Sequence, residues 1–264
     1  MALALGLGMG LSRRRGNPVT ETETETETAY QQILTLAAAD GWTAVYDPTN
    51  PDTRTLREDS GSFYFEEIQD GLGNLPAIAA AVAGNQPQLS VGFFSQLDAC
   101  LSPDDQRLMW SADFDSAVAP PYYVIAVMRK RILTTSIRYS VSLGSVVGSP
   151  RHGVLDSVAG SEYFTADSSF FESITAATTE KTVVATLWNG VDSEIIINGA
   201  IDNTGTVGTA NTAATRVMYM ARGNFSGRWQ GEVGPLLFYS GNPSSAVRER
   251  MYDLIHDLSG IARA

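Results

Sequence analysis

The sequence has few of the residues that most often build catalytic, metal-binding or cross-linked sites. Its 264 residues include one cysteine, Cys100, and two histidines, His152 and His256. A lone cysteine excludes an internal disulfide framework, so stability has to come from packing or assembly. The histidines lack the spacing of a transition-metal site, and neither has a recognisable catalytic partner. We therefore predict no metal and no cofactor.

Charged residues are also scarce, and most of them are negative. They make up 18% of the chain, and the net charge is −11. Most of such a surface would repel a phosphate backbone, so we predict no nucleic-acid partner. Basic runs occur at residues 13–15 and 129–131. We interpret them as solvated turns or strand ends rather than phosphate sites.

Hydrophobic runs of membrane-spanning length are missing as well. Residues 1–11 are apolar but too short to cross a bilayer, and the arginines follow this stretch, whereas a secretory signal carries its positive charge in front. We predict neither a signal peptide nor membrane insertion. A protein of this kind that leaves its producing cell needs another route, such as lysis.

The first forty residues differ in composition from the rest of the chain. Threonine and glutamate alternate strictly over residues 20–28, a strand-like pattern with nothing to bury. Such a segment gains too little from burial to order alone, so we expect a neighbouring chain to hold it. The predicted assembly anchor consists of apolar residues and three arginines: Leu3, Leu5, Leu7, Met9, Leu11, Arg13, Arg14 and Arg15.

Helical spacing of apolar residues appears near both ends of the remaining chain. A short helix that ends at Gly41 is predicted by Tyr30, Ile33, Leu34 and Ala37. A closing helix with Gly260 as its left-handed stop is predicted by Val247, Met251, Leu254, Ile255 and Leu258. The alanine-rich residues 75–84 predict a further short helix.

Strands occupy most of the chain between these helices. They are predicted at residues 122–129, 136–143, 152–158, 182–188, 193–198 and 217–221. Residues 51–73 look loop-like apart from 63–65. Many strands with one terminal helix indicate a β-sandwich. We divide the chain at residue 40, with an anchoring arm and short helix in 1–40 and the sandwich in 41–264.

Four segments resemble the concanavalin A-like lectin/glucanase sandwich, in the laminin-G-like version found in many bacteriophage proteins. They are residues 42–48, 121–128, the strands 182–188 and 195–199 with an Asn-Gly turn, and 227–239 with the closing helix. The resemblance implies an all-β jelly-roll sandwich with a C-terminal helix and an extended N-terminal arm. Pro235 interrupts the last strand, so we expect an edge strand or a bulge there.

Carboxylates were considered as catalytic candidates because glycoside hydrolysis uses a facing pair. Glucanases of the family that this sequence resembles carry a Glu-x-Asp-x-x-Glu strand, and this motif is missing from the sequence. We interpret the clustered carboxylates as solvated turns: Glu66, Glu67, Asp70, Asp104 and Asp105. We therefore predict that the protein is not an enzyme.

Sugar binding commonly uses an exposed aromatic ring beside amide or carboxylate groups. The predicted carbohydrate site is Trp188, Asn189 and Asp192. Alternative platforms are Trp42, Trp110 and Trp229. The resemblance also implies a calcium site, because some members of that family bind calcium through loop oxygens. The candidate ligands are Asp192, Asp202 and Asn203, although turn formation is the simpler interpretation of these residues.

The leading functional hypothesis is a structural virion protein of a bacteriophage or phage-like particle. As a head decoration or a tail-associated spike or fibre, the protein would be homo-oligomeric and attached to other virion proteins through its arm. It would be assembled in the host cytoplasm and released by lysis, with a host-surface glycan as a further candidate partner. The alternative is a free carbohydrate-binding lectin, and a polysaccharide depolymerase ranks last.

Overall fold

The computed structural model describes residues 27–80, 82–103, 109–112, 120–133, 138–144, 151–156, 161–166, 169–176, 178–207, 217–219 and 229–264. The predicted anchor and most of the Thr/Glu alternation lie outside these residues, as do Asp104 and Asp105.

Two helices and a series of strands make up the described part of the chain. The helices are α1 (Ala29–Asp40) and α2 (Ser245–Ser259). The strands are β1 (Ala44–Tyr46), β2 (Arg54–Asp59), β3 (Ser62–Ile68), β4 (Ile78–Ala79), β5 (Gln88–Phe94), β6 (Leu97–Ser102), β7 (Met109–Ser111), β8 (Tyr122–Lys130), β9 (Arg138–Gly144), β10 (Arg151–Asp156), β11 (Ser161–Ala166), β12 (Ser169–Ala176), β13 (Lys181–Trp188), β14 (Ser193–Ile197), β15 (Ala200–Gly205), β16 (Val217–Tyr219) and β17 (Gly231–Ser240).

The strands pair antiparallel and form one continuous sheet that folds back on itself. One layer contains β17 and β8, followed by β13, β14 and β15, while β6 and β1 share the other side of β17. The other layer runs from β3 through β4, β7, β16, β9, β10 and β11 to β12. β5 pairs with both β3 and β6 and so joins the layers. The predicted all-β sandwich with a C-terminal helix is confirmed.

β8 is buried on both faces, which accounts for its unbroken apolar sequence. Successive side chains of a strand point to opposite faces, so the two sets of side chains enter different cores. The core between the sheet layers receives Tyr122, Val124, Ala126 and Met128. The core beneath the helices receives Tyr123, Ile125 and Val127.

The two helices cover the outer face of the β17–β8–β13 layer. α1 buries Ile33 and Ala37 in the second core, although the sequence placed this helix with the arm. It ends at Gly41 in the left-handed conformation, with φ 75°, and α2 ends in the same way at Gly260, with φ 68°. Both predicted helices are thus confirmed. Neither helix of the described chain has the length and apolar character needed to span a membrane.

Two segments differ from their predicted structure. Residues 75–84 contain strand β4 and the start of a 3₁₀ turn, Ala83–Asn85, instead of a helix. Ile78 is fully buried and pairs with Ile68 and Ser111 on neighbouring strands, so tertiary pairing overrides the helical propensity of the alanines. Residues 51–73, predicted to be loop-like apart from 63–65, contain the β2–β3 hairpin.

Pro235 lies within β17, a central strand. The register of β17 against β8 shifts between Val233 and Leu236, which face Met128 and Ala126. This bulge accommodates the proline, which has no N–H to contribute to the ladder. Of the two expectations for this strand, the bulge is confirmed and the edge position is wrong.

A pair of buried tyrosines attaches α2 to the sheet. Tyr123 of β8 and Tyr252 of α2 share a hydrogen bond between their hydroxyl groups. The guanidinium of Arg248 lies 4.8 Å from the Tyr123 ring centroid and donates to Glu194 at 2.6 Å. Burial raises the pKa of both phenols, so both stay protonated at physiological pH.

Replacing Tyr252 or Tyr123 by phenylalanine alone is expected to lower the free energy of unfolding by about 1–2 kcal/mol, because the remaining hydroxyl stays buried without its partner. The double Phe variant should lose less than the sum of the two single variants. Urea unfolding of all four proteins measures this coupling. Strictly additive losses would show that the two hydroxyls do not interact.

A buried charge cluster lies under the loop between β1 and β2. Arg54 Nη1 lies 2.6 Å from Asp98 Oδ2, and Asp98 Oδ1 accepts from the Gly92 N–H at 2.8 Å. Asp47 is 2% exposed and accepts from the Thr49 N–H through Oδ1 at 2.8 Å. Its Oδ2 has no hydrogen-bond partner among the described residues. Burial, with a smaller contribution from the Asp98 charge, raises the pKa of Asp47 to about 6.

The raised pKa of Asp47 predicts a pH-dependent gain in stability for Asp47→Asn. The ionised carboxyl is disfavoured only in the folded state, so the wild type loses stability as pH rises from 3.8 to about 6. Across this pH window, the free energy of unfolding of the variant should rise by on the order of 3 kcal/mol relative to that of the wild type, with no further rise at higher pH. Denaturant unfolding at several pH values tests this, with Asp52→Asn on the exposed surface as control. A stability difference between Asp47→Asn and wild type that does not change with pH would contradict this prediction.

Candidate functional site

The predicted sugar-binding aromatic residue, Trp188, lies in the core. It is 1% exposed, and its ring stacks on Tyr122 with centroids 4.9 Å apart. A ring in this position has no face available to a sugar. The physical reason is that β13, like β8, is buried on both sides. Asn189 is half-buried and Asp192 is exposed at the same end of β13, and their role in binding stays a prediction.

The alternative tryptophan platforms are also not exposed where the structure describes them. Trp42 is 3% exposed and Trp229 is 0% exposed, so both belong to the interior. The side chain of Trp110 is outside the described part of the chain. None of the described tryptophan rings therefore offers a surface for sugar stacking.

The candidate calcium residues of β15 hold that strand against β12. Asp202 Oδ2 accepts from the Ile174 N–H at 2.6 Å, and Oδ1 accepts from the Thr175 N–H at 3.1 Å. Asn203 Nδ2 donates to the Glu172 carbonyl at 2.6 Å. The Asp202 oxygens, which a cation would need as ligands, thus accept hydrogen bonds from backbone N–H groups instead. Within the described ranges, no group of three His, Cys, Asp or Glu side chains is arranged to hold a metal ion.

Asp70 is buried, and the interpretation of it as part of a solvated turn is wrong. It is 6% exposed, and its two oxygens organise the following loop. They accept from the backbone N–H groups of Val45 at 2.8 Å, Leu72 at 3.0 Å, Asn74 at 2.8 Å and Leu75 at 3.0 Å. The role of this carboxylate is structural.

A cavity of about 630 Å³ lies at one end of the central strands. Its walls come from the ends of β8 and β13, the β14–β15 turn and the segment that follows α2. Its charged lining residues are Arg129, Lys130, Arg131, Lys181 and Glu180. We call this cavity the basic pocket. Lys181 and Trp188 stand at opposite ends of β13, about 23 Å apart at the usual strand rise, so the pocket is distinct from the predicted site.

Strand register brings the charges of the basic pocket together. Arg129 of β8 pairs with Lys181 of β13 on one side and with Glu232 of β17 on the other. β17 approaches β8 so closely here that a Cβ atom added at Gly231 would lie 2.1 Å from the Arg129 carbonyl oxygen. Glycine therefore permits the contact that places Glu232 beside Arg129.

Buried Glu232 holds two arginines in the wall of the pocket. The side chain is 1% exposed, and its oxygens lie 3.1 Å from Arg129 Nε and 2.9 Å from Arg131 Nε. A buried carboxylate needs such partners because desolvation penalises its charge. Two guanidinium groups against one carboxylate leave one positive charge uncompensated within this trio.

Phe93 of β5 positions two of the cations. Arg129 Cζ lies 4.9 Å and Lys181 Nζ 4.6 Å from the centroid of the Phe93 ring. Lys181 Nζ also donates to the Phe93 carbonyl oxygen. Cation–π contacts of this kind are worth about 0.5–1 kcal/mol when partly exposed, and they fix both charges near the pocket.

The opposite wall is fixed by hydrogen bonds of the chain after α2. His256 is 6% exposed, and its Nδ1 lies 2.8 Å from the Ile261 carbonyl oxygen. Burial lowers the pKa of His256. Asn198 turns the β14–β15 hairpin with φ 50°, and its carbonyl accepts from the Ala264 N–H at 2.9 Å. The predicted Asn-Gly turn is confirmed, and the pocket is preformed.

Sequence reasoning missed this pocket although one signal was present. The basic run at residues 129–131 directly follows a buried strand, and it was interpreted as a solvated strand end. Arg131 is exposed, whereas Arg129 is half-buried and Lys130 is buried. Lys181 and Glu232 join the run only through strand pairing, which no local pattern reveals.

Solved structures of an arabinanase domain, an arabinofuranosidase and a toxin binding domain share this fold. The sequence matches no family model and no curated protein. Domain 4 of AbnA, a GH43 extracellular arabinanase from Geobacillus stearothermophilus, in complex with arabinotriose, is 16% identical with a TM-score of 0.58, and the match covers 81% of this chain and 98% of that one. A GH54 α-L-arabinofuranosidase soaked with 4-nitrophenyl α-L-arabinofuranoside is 8% identical with a TM-score of 0.62, covering 86% and 65%. The botulinum neurotoxin serotype D binding domain is 10% identical with a TM-score of 0.54, covering 83% and 52%.

These neighbours correct the prediction that the protein is not an enzyme. One domain of an arabinanase and an arabinofuranosidase share this fold, so the fold gives no ground for excluding an enzyme. The neighbours support a β-sandwich fold, but they give no support to a phage relationship. At these identities the likeness establishes the fold alone.

Proposed function

We propose that the protein is a carbohydrate-binding β-sandwich that holds its ligand in the basic pocket. The observation that carries this proposal is the preformed cavity whose charged side chains are fixed by Glu232 and Phe93. Its volume of about 630 Å³ falls within the range of pockets that hold small ligands. The AbnA domain, whose structure contains arabinotriose, matches over 98% of its length and supports a sugar as the ligand class.

The lining of the pocket suits a ligand rich in hydroxyl groups. Arg131 and Lys181 supply hydrogen-bond donors, and Glu180 supplies acceptors. Thr179 and Asn198 line the same space and carry groups that both donate and accept. Lys181 lies within β13, and backbone hydrogen bonds tie Arg131 to Gln230 and Asn198 to Val183, so the backbone at these positions loses little conformational entropy when a ligand binds.

Display of this sandwich on a phage particle stays a hypothesis. It depends on the predicted anchor, and those residues lie outside the part of the chain that the structure describes. The carbohydrate-binding role, which was the alternative hypothesis from the sequence, has the better support, because the similar AbnA domain is in complex with arabinotriose. Other virion proteins as partners, self-association and a place in the virion remain parts of the same hypothesis.

Deleting residues 1–28 separates the anchoring role from the binding role. If the arm is an anchor, the truncated chain should fold and bind ligand like the full chain but fail to join particles. Particle fractions probed with an antibody against the chain measure incorporation, and glycan binding by the same protein is the internal control. Normal incorporation of the truncated chain would refute the anchoring role.

Glycan binding by the full chain tests the proposed site against the predicted one. Ala262 is exposed and lines the pocket, so Ala262→Trp should fill the cavity and weaken binding about tenfold or more. Asn189→Ala with Asp192→Ala, at the other end of β13, should leave binding unchanged. A glycan array followed by titration measures both, and reducing-end release in the same samples reports any cleavage.

Two outcomes of this experiment would contradict the proposal. Loss of binding in the Asn189→Ala, Asp192→Ala variant with normal binding by Ala262→Trp would move the site to the Trp188 end of β13. Absence of binding to every glycan on the array would remove the carbohydrate-binding function itself.

A further inference from the structure

We infer that the sugar taken by the basic pocket carries a carboxylate, as uronic and sialic acids do. This inference rests on the proposed function and names the class of ligand. The chain has 18 basic residues and a net charge of −11, yet the side chains of three basic residues, Arg129, Arg131 and Lys181, lie together at one cavity. A site for a neutral sugar has no need for such a concentration of positive charge.

Among the described residues, the ion pairs leave part of the positive charge of Arg129, Arg131 and Lys181 without a carboxylate partner. Glu232 is the carboxylate that pairs with Arg129 and Arg131, and it offsets one of their two charges. Lys181 is held at Phe93 by contacts with a ring and a carbonyl oxygen, and neither of these carries a negative charge. Like charges held side by side repel each other, so a bound anion lowers the energy of the arrangement.

Arg131 is placed to meet an anionic group. The bond to Glu232 uses its Nε, so the terminal Nη nitrogens are outside that bond, and the side chain is 38% exposed. Guanidinium groups bind carboxylates through paired N–H donors. Glu232 therefore holds the Arg131 guanidinium through Nε, and the edge formed by the Nη nitrogens is offered to the ligand.

The surrounding charge favours a ligand with one negative charge over a polyanion. Glu180 is exposed among the lining residues, and the net charge of the whole chain is strongly negative. Both features raise the cost of bringing several negative charges to the pocket, whereas one carboxylate meets mainly the local cations. The geometry thus favours a carboxylated sugar over a densely sulfated one.

The test compares acidic oligosaccharides with their neutral counterparts on the full chain. The probes are trigalacturonate and sialyllactose, the methyl esters of both, and a sulfated trisaccharide. Titration calorimetry should show at least one carboxylated probe binding about tenfold or more tightly than its ester, because the ester removes a charge-assisted hydrogen bond. Added salt should weaken binding of the acid much more than binding of the ester.

Matched variants assign the effect to the pocket. Lys181→Met keeps the aliphatic stem and should weaken binding of the acid about tenfold with little change for the ester, and Lys181→Arg should restore it. Arg57→Met is the control, since Arg57 also lies over an aromatic ring, 5.2 Å from the Tyr64 centroid, but is not among the lining residues of the pocket. Ala262→Glu should abolish binding of the acid where Ala262→Gln retains it.

Each contrary result has a distinct meaning. Equal binding of the acids and their esters would overturn the carboxylate inference while leaving carbohydrate binding in place. Tightest binding of the sulfated probe would overturn it in favour of a sulfate ester. An equal loss of acid binding in Lys181→Met and Arg57→Met would show that only overall charge matters, and the pocket would lose its role. Failure of every probe, together with a blank glycan array, would remove the proposed function as well.

Discussion

The pairing of β8 with β13 and β17 is the constraint on which the rest of the structure depends. β8 is buried on both faces, so its alternate side chains fix the core between the sheet layers and the core beneath the helices at the same time. A shift of one residue in its register would exchange the two sets and disrupt both cores. The same register places Glu232, Arg129 and Lys181 next to one another across three strands.

The burial of Glu232 connects the stability of the sheet to the chemistry of the pocket. A carboxylate that is 1% exposed is tolerated because Arg129 of β8 and Arg131, which directly follows that strand, neutralise it. Those arginines alternate with buried Lys130, so both reach the same side of the strand. The structural solution for one buried charge therefore leaves excess positive charge beside a cavity. In this way a packing requirement of the fold creates a feature suited to binding.

Local sequence patterns succeeded where the local chain decides the structure. Helical spacing identified α1 and α2, the Asn198-Gly199 pair identified a tight turn, and Pro235 identified the bulge of β17. The β2–β3 hairpin was missed because its strands carry many polar side chains and lie partly exposed, so they lack a continuous apolar signal.

The candidate site was predicted at the wrong end of β13 for a related reason. A tryptophan next to an amide and a carboxylate has the same sequence whether its ring is exposed or stacked on Tyr122 inside the core. Likewise, a run of three basic residues has the same sequence whether it is solvated or clamped by a glutamate about a hundred residues away. Burial and partner identity are properties of the assembled sheet.

By itself, the sequence determined the all-β class, the two helices with their glycine stops and the strongly acidic character of the protein. Each of these follows from composition or from the spacing of side chains along a few residues, which fixes backbone preference and the face that is buried. The tertiary structure alone decided that Trp188 is core, that Asp70 and Glu232 are buried and partnered, and that Arg129 and Lys181 share one aromatic ring. The physical reason is that strand register brings together residues far apart in the chain, and neither their proximity nor their desolvation is encoded in any local pattern.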